Sequence, residues 1–546
     1  MMAAMLSATL ATTAPAIKAS YRIYDQTLAT VDDRLFGHFM ERPSWANETG
    51  PEAALTPGTH KFQPKALELM KELRPSVIRF PSGTDNDYID WRDTIDNAPN
   101  RATPERPATI IGHTKEKVTT RFGYDEFLAM ARGLKSQVIL PVRFRDALTG
   151  RADTKAEARD HAAALAAYVN GRVGQKLPEG LEAYVAARVK NGHPKPWNVE
   201  YFQIGNETWF FNDDLNQKYP GKVAERYVDA LEVFVDAIHA VDPKIRIIAD
   251  GVDDDKAHLI RKRLGDKVSF LVDHWYSPWE IPHFEKEGKA VPTENLSQEQ
   301  IWNAWVSPWP VNDATGESKV DLNTLNDKPK HGYPVAITEW NWNGWWKSEE
   351  WHKAKLKDSL MARGIGAAGY LHAMMRRAAD IRIACMSMTV GQAWDIDCIR
   401  VDPTGKQDAF FMPIGNLMAL YAQKHGDRLL RQDDVAVPTY DQPLSGGGIQ
   451  AHGNVQTVDL VTTARGKKLY LHVINRDFKS PAEITLDLSS YGKVKPDGTM
   501  WTVEGPIGRE IPANSKTVRR KLMLDPTHPK ITLAPRTINV IELEKT

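Results

Sequence analysis

Cysteine is nearly missing from this chain, which holds only Cys385 and Cys398 in 546 residues. That excludes a disulfide framework and a thiolate metal constellation, and two free buried thiols are the expected state. Net charge is missing as well. Lys+Arg and Asp+Glu each number 70, so the formal charge is zero, which argues against nucleic acid or an anionic membrane as partner. No apolar run is long enough to cross a bilayer. No Gly-rich phosphate loop follows the first strand, which counts against a doubly wound nucleotide fold. No His-x-His or clustered His/Asp stands at strand ends, so no metal and no cofactor is expected. Internal repeats and low-complexity tracts are absent too. Tryptophan, by contrast, is plentiful, with 16 copies. They cluster at Trp302, Trp305 and Trp309, and again between Trp340 and Trp351. Core packing is the bland explanation, but indole faces in polar loops also form platforms for the C–H face of a sugar ring.

The length exceeds one ordinary core, so two domains are expected. From residue 33 to about 426, apolar runs ending near Phe39, Phe80, Val142, Ile204, Ala249, His274, Thr338 and Met388 alternate with helical stretches. Examples of the latter are Ala156–Tyr168, Val223–Val241 and Trp351–Met375. This alternation predicts an α/β chain built on a (β/α)8 TIM barrel. Residues 427–546 change to alternating β-branched stretches between Gly/Pro/Asp turns, the pattern of a C-terminal all-β sandwich domain. Residues 20–32 read as a strand that adds to that sandwich. Residues 1–19 are small and apolar, with an Ala-x-Ala site resembling a signal-peptide remnant. Although no positive charge precedes them, they point to a secreted or periplasmic protein rather than a cytoplasmic one.

Two short segments carry the chemistry. Tyr201-Phe-Gln-Ile-Gly-Asn-Glu-Thr-Trp209 and Val335-Ala-Ile-Thr-Glu-Trp-Asn-Trp342 are apolar runs that end on a glutamate beside Asn or Trp. An acidic group at the tip of a buried strand is costly unless it has a task. Two such tips suit the paired carboxylates of glycoside hydrolysis. Glu207 ends the fourth strand and Glu339 the seventh, at the C-terminal mouth where barrel enzymes keep their catalytic groups. A buried structural carboxylate is the rival reading for each. Asn47-Glu48 repeats the Asn-Glu pair in a Pro/Gly-bounded loop and receives no role.

The surrounding motifs resemble glycoside hydrolase family 51, the α-L-arabinofuranosidases. They include Leu35-Phe-Gly-His-Phe-Met-Glu41, Arg79-Phe-Pro-Ser-Gly83 with Tyr88 and Trp91, and Phe122-Gly-Tyr-Asp-Glu-Phe-Leu128. Asn191-Gly-His-Pro194, Gly205-Asn-Glu207, His274-Trp-Tyr276 and Thr338-Glu-Trp340 complete the match along nearly the whole chain. The resemblance implies a retaining hydrolase that releases terminal α-L-arabinofuranosyl residues from plant-type polysaccharides or oligosaccharides. Glu207 would be the acid/base and Glu339 the nucleophile. A homo-oligomer is also implied, since relatives often form trimers or hexamers. Two positions depart: Thr84 stands where the family has a subsite Asn, and Met388 where it has a Gln on the eighth strand. These leave open a furanosidase of other specificity, such as a β-D-galactofuranosidase, or a clan A β-glycanase or xylosidase. A carbohydrate-binding protein without catalysis is the rival of another class.

The remaining roles follow from chemistry. Asn206 is expected to donate to the sugar 2-hydroxyl, its alternative being a strand-end turn residue. Tyr276 could orient Glu339 or be a core tyrosine, and Arg79 could hold Glu339 ionised or pair with a structural acid. Glu41 reads as a hydroxyl acceptor or a buried ion-pair partner. His274 is a hydrogen-bond donor or simply packed. Trp91 and Trp340 are expected to wall the pocket, and Gln392 to replace a lost hydrogen bond there.

Overall fold

Every barrel strand is short and apolar, and each begins after a helix. The strands are β2 (Gly37–Phe39), β3 (Val77–Arg79), β4 (Gln137–Val142) and β5 (Tyr201–Ile204), then β6 (Arg246–Asp250), β7 (Val268–Tyr276), β8 (Val335–Asn341) and β9 (Ile381–Ser387). They pair in parallel and in sequence order, and β9 closes on β2. In this computed structural model, residues 14–251, 254–276, 280–307, 331–343, 345–510, 512 and 514–546 are described. Residues 1–13 of the expected leader, and Trp309, lie outside them. Alternation along the strands fills the barrel with Phe39, Val77, Ile139, Tyr201, Ile248 and Cys385 among others, while neighbours such as Phe202 and Ile337 face the helices. Cys385 and Cys398 are free and buried.

The chain enters through β1 (Ile17–Thr30), which lies outside the barrel. After the barrel come β10 (Arg428–Ala436), β11 (Val458–Arg465), β12 (Lys468–Asn475), β13 (Ala482–Asp487), β14 (Asp497–Glu504), β15 (Lys516–Met523), β16 (Lys530–Leu533) and β17 (Thr537–Glu544). With β1 they form a nine-stranded sheet in the order β15-β14-β17-β12-β11-β10-β1-β13-β16. β1 runs antiparallel to β10 and parallel to β13. Inner side chains from both ends of the sheet, such as Tyr21, Leu471, Ile484 and Ile541, share one core.

The opposite face of this sheet packs on helices α1 (Leu360–Arg376) and α2 (Pro413–Gln423), so the two cores meet at Val461, Tyr470, Ile474 and Val540. The single helix expected over 351–375 is broken. Ser348–Ala354 ends early, and α1 restarts where Ser359 Oγ accepts the Ala362 N–H at 3.3 Å. Asp358 holds that junction by pairing with Arg363 at 3.0 Å and Arg509 at 2.7 Å. A Ser N-cap after Asp is a start signal that the apolar period of the segment obscures.

Where α1 meets β11, fully buried Asp459 takes His372 Nδ1 at 2.9 Å, Arg376, and Arg476 at 3.4 Å. His372 Nε2 meets the Tyr421 hydroxyl at 2.8 Å. Burial raises the Asp459 pKa, but the surrounding cations outweigh it and hold the carboxyl far below the usual range. Removing one partner of such a pair strands the others, which costs about 3–5 kcal/mol. Asp459→Ala is therefore expected to lower denaturant stability by that amount. An unchanged unfolding midpoint would show that the network contributes nothing to the junction.

Candidate active site

The site lies over the C-terminal ends of the strands. β5 ends at Ile204, and Gly205 then turns with φ +79, where a Cβ would also meet Thr208 Cγ2 at 2.6 Å. Glu207 itself is left-handed, φ +46, and begins the 3-10 turn Thr208–Phe211. This double reversal lifts Glu207 off the strand axis. Glu339 needs a different device. Ala336 faces the barrel interior and Ile337 the helices, so strict alternation would send residue 339 outward. A bulge intervenes, because β8 spends two steps from Ile337 to Glu339 while β7 spends one from Asp273 to His274. Such a bulge re-aims the side chain, and Glu339 turns into the mouth.

The two carboxylates come close. One oxygen of Glu207, one of Glu339 and a His274 nitrogen all lie within 4.8 Å of one another. His274 Nδ1 is 3.1 Å from Glu207 and 3.7 Å from Glu339, and its Nε2 is 2.9 Å from Thr338 Oγ1. Arg79, fully buried, donates to Glu339 at 2.5 Å and to Asn206 Oδ1 at 2.6 Å. Tyr276 donates to the other Glu339 oxygen at 2.8 Å and shares a 2.8 Å contact with Ser387. Gly83 forms the floor, since a Cβ there would stand 3.0 Å from Glu339 and 3.2 Å from Glu41.

These contacts set the charges. Burial raises the Glu339 pKa, but His274, Arg79 and the Tyr276 hydroxyl together pull it below the ordinary carboxylate value. Glu41 goes the other way. Burial, then the charge of Glu339, push it well up, against the Gly83 N–H that donates to it at 3.3 Å. A protonated Glu41 can donate as well as accept toward a hydroxyl. Glu207, His274 and Glu339 have the spacing of a metal cluster. However, both Glu339 oxygens already accept from Arg79 and Tyr276, which leaves that carboxylate poorly suited to an ion.

The cavity over this pair measures about 600 Å³. Of the residues expected from sequence, Glu41, Asn206, Glu207, His274, Tyr276 and Glu339 line it, and Arg79 lies beneath. Trp91, Trp340 and Gln392 do not. Trp91 packs among Tyr124, Tyr168 and Tyr184. Trp340, next after the inward-turned Glu339, points outward and stacks on Tyr370 of α1 at 6.2 Å. Gln392 bonds the Asn47 carbonyl at 2.7 Å, outside the cavity. The aromatic walls are instead Trp45, Trp394, Trp209 and Phe210. Thr84 and Met388, the two departures, do face the cavity.

Glu48, given no role from sequence, is buried and accepts N–H bonds from Thr49, Gly50, Gln392, Ala393 and Trp394 at 2.7–3.2 Å. It thereby joins the loop after β2 to the loop after β9 and positions Trp45 against Trp394, 5.7 Å apart. Nothing short of the folded pair of loops could have revealed it.

Comparison with known proteins bears on the family and the fold. Residues 69–288 match the family model of the Alpha-L-arabinofuranosidase 1 domain. The resemblance to the family 51 arabinofuranosidases is thereby upheld. A probable alpha-L-arabinofuranosidase C of Aspergillus clavatus is 25% identical over 345 residues, a match spanning 60% of each chain. An intracellular exo-alpha-(1->5)-L-arabinofuranosidase of Acetivibrio thermocellus is 20% identical across 85% of this chain and 86% of its own. The fold is shared with solved arabinofuranosidases from Thermotoga maritima, in complex with arabinose (TM-score 0.67, 20% identity), and Thermotoga petrophila (TM-score 0.68, 22% identity). Each covers 96% of this chain and 100% of its own.

Because Tyr276 stabilises ionised Glu339, its loss should raise that pKa. A reaction that needs Glu339 charged then loses activity from a higher pH downward. Tyr276→Phe is expected to move the acid limb of kcat/KM to higher pH. A limb that stays in place would separate Tyr276 from the charge on Glu339.

Proposed function

We propose that this chain is a retaining glycoside hydrolase that releases terminal α-L-arabinofuranosyl residues by double displacement. The observation that carries the reading is that one oxygen of Glu207 and one of Glu339 come within 4.8 Å of each other, which brings both carboxylates to a single glycosidic bond. Retaining enzymes place their carboxyls about 5–5.5 Å apart, whereas a water-admitting inverting pair needs roughly 6.5–9.5 Å. The arabinofuranosyl specificity rests on the matched family model and on the names its relatives bear.

In the first step Glu339, ionised and oriented by Arg79 and Tyr276, attacks the anomeric carbon. Glu207 protonates the departing glycosidic oxygen, and an ester joins the sugar to Glu339. Glu207, now a carboxylate, then takes a proton from water, which attacks the same carbon and frees Glu339. Arg79 holds Asn206 by its Oδ1, which leaves the amide N–H groups to donate to the 2-hydroxyl. That bond strengthens in the transition state. Oligomeric assembly as in the family is part of the same proposal.

Glu339→Gln is expected to keep its melting temperature and lose activity by several orders of magnitude. Near-normal turnover would remove Glu339 from the mechanism. Glu207→Ala should retain far more activity on aryl glycosides than on natural ones, because only poor leaving groups need protonation. Azide should restore part of its turnover as a glycosyl azide. Equal damage on both substrates with no azide effect would exclude Glu207 as acid/base. Release of p-nitrophenol from a panel of aryl furanosides and pyranosides tests the sugar itself; an untouched α-L-arabinofuranoside would overturn the specificity and leave the two-carboxylate mechanism in place.

A further inference from the structure

Trp305, Trp346 and Trp351, from the tryptophan-rich stretches of the sequence, do not line the catalytic cavity. They surround two arginines instead. Trp305 stacks on Trp346 at 5.4 Å and carries the Arg363 guanidinium over its ring at 4.9 Å. The Arg509 guanidinium lies over Trp351 at 4.4 Å. Flat indole faces attract such cations and keep their planes oriented.

Arg509 comes from the sheet domain, in the loop between β14 and β15. One of its terminal nitrogens donates to Asp358 at 2.7 Å and the other to Asp395 at 2.6 Å. Arg363 bonds Asp358 at 3.0 Å and lies 3.9 Å from Asp395. Two cations and two anions thus form a closed square, with Asp358 and Arg363 buried. A network of this kind is screened far less than an isolated surface pair.

Asp395 links the square to the active site. It stands between Trp394 and Ile396, which both line the cavity, while its own side chain turns away toward Arg509. On the barrel side the segment is tied by its backbone. Glu48 takes the Trp394 N–H at 3.2 Å, Arg400 bonds the Trp394 carbonyl, and the Ile396 carbonyl accepts from Asn341 at 3.3 Å. The Asp395–Arg509 bond is an anchor on the outer side, supplied by the other domain.

We infer that Arg509 is a positioning residue for the catalytic cavity: through Asp395 the sheet domain holds Trp394–Ile396 as a fixed wall against which the sugar binds. The sheet domain thereby takes part in substrate binding without touching substrate. The inference rests on the glycosidase reading for its kinetic assay alone.

The test pairs Asp395→Ala with Arg509→Met. Asp395→Ala leaves buried Asp358 with both arginines, so its melting temperature should stay near that of the wild type. Arg509→Met strips a partner from Asp358 and should lower it. On the aryl glycoside that the wild type cleaves best, each variant should raise KM about tenfold and leave kcat within about twofold. A displaced wall weakens ground state and transition state alike. The limbs of the pH profile should not move, since Glu207 and Glu339 keep His274, Arg79 and Tyr276 as partners. The double variant should be no worse than the worse single one, as for two residues that form one link. A wild-type KM in Asp395→Ala, or effects that multiply in the double variant, would overturn the inference. Hydrogen exchange gives a readout without substrate. The Trp394 and Asp397 amides should exchange about tenfold faster in Asp395→Ala, and those of β5 at the wild-type rate. If the wild type cleaves no glycoside, the glycosidase reading fails and exchange alone decides for Arg509. Unchanged exchange overturns the inference with or without turnover.

Discussion

A buried guanidinium organises this molecule's working end. Arg79 sits at the tip of β3 with no solvent exposure, lies over the Phe39 ring at 4.4 Å, and donates to both Glu339 and Asn206. Burying an arginine is tolerable only with its charge matched and its donors directed. Glu339 supplies the matching charge, and in doing so is held ionised where attack on an anomeric carbon would need it. Asn206 is oriented by the same fork. One side chain thus couples the second, fourth and seventh strands of the barrel, and any loss of closure among them would leave a buried charge unpaired.

The carboxylates around this arginine divide by environment. Glu339 receives Arg79, Tyr276 and the nearby His274, and its pKa falls. Glu41 sees burial and the negative charge of Glu339, and its pKa rises. Two acids packed close together cannot both ionise cheaply, so the cation settles which one does. Away from the mouth the same logic recurs in Asp459, whose buried charge is matched by Arg376 and Arg476, with His372 hydrogen-bonded to it, where the sheet domain meets α1. Glu48 shows a third solution, with backbone N–H groups in place of cations, and it joins two loops that are far apart in sequence.

Much of the fold was legible in advance. The expected strand ends fall within a few residues of those observed, because apolar runs of three to nine residues punctuated by helices leave little freedom of interpretation. The proposed catalytic pair stood out for a related reason: a glutamate ending such a run is chemically conspicuous. The aromatic assignments were not. Trp340 follows Glu339 directly, and neighbours on a strand face opposite ways, so an inward Glu339 already implied an outward Trp340. Placing both Glu339 and Trp340 in the pocket was therefore inconsistent, whichever of the two faced inward. Trp91 and Gln392 misled differently, since motif proximity does not say which face of a loop reaches the cavity.

By itself, then, the sequence determined the barrel, the sheet domain that follows it, and the two strand tips that carry the acid groups. All of these rest on local periodicity and on the cost of burying charge. The tertiary structure alone decided the inward turn of Glu339, because a bulge appears only as a mismatch between two paired strands. It also decided that Trp45, Trp394, Trp209 and Phe210 form the walls. Those residues come from loops after the first, fourth and eighth barrel strands. Such loops meet only when the barrel closes, and no spacing along the chain records that meeting.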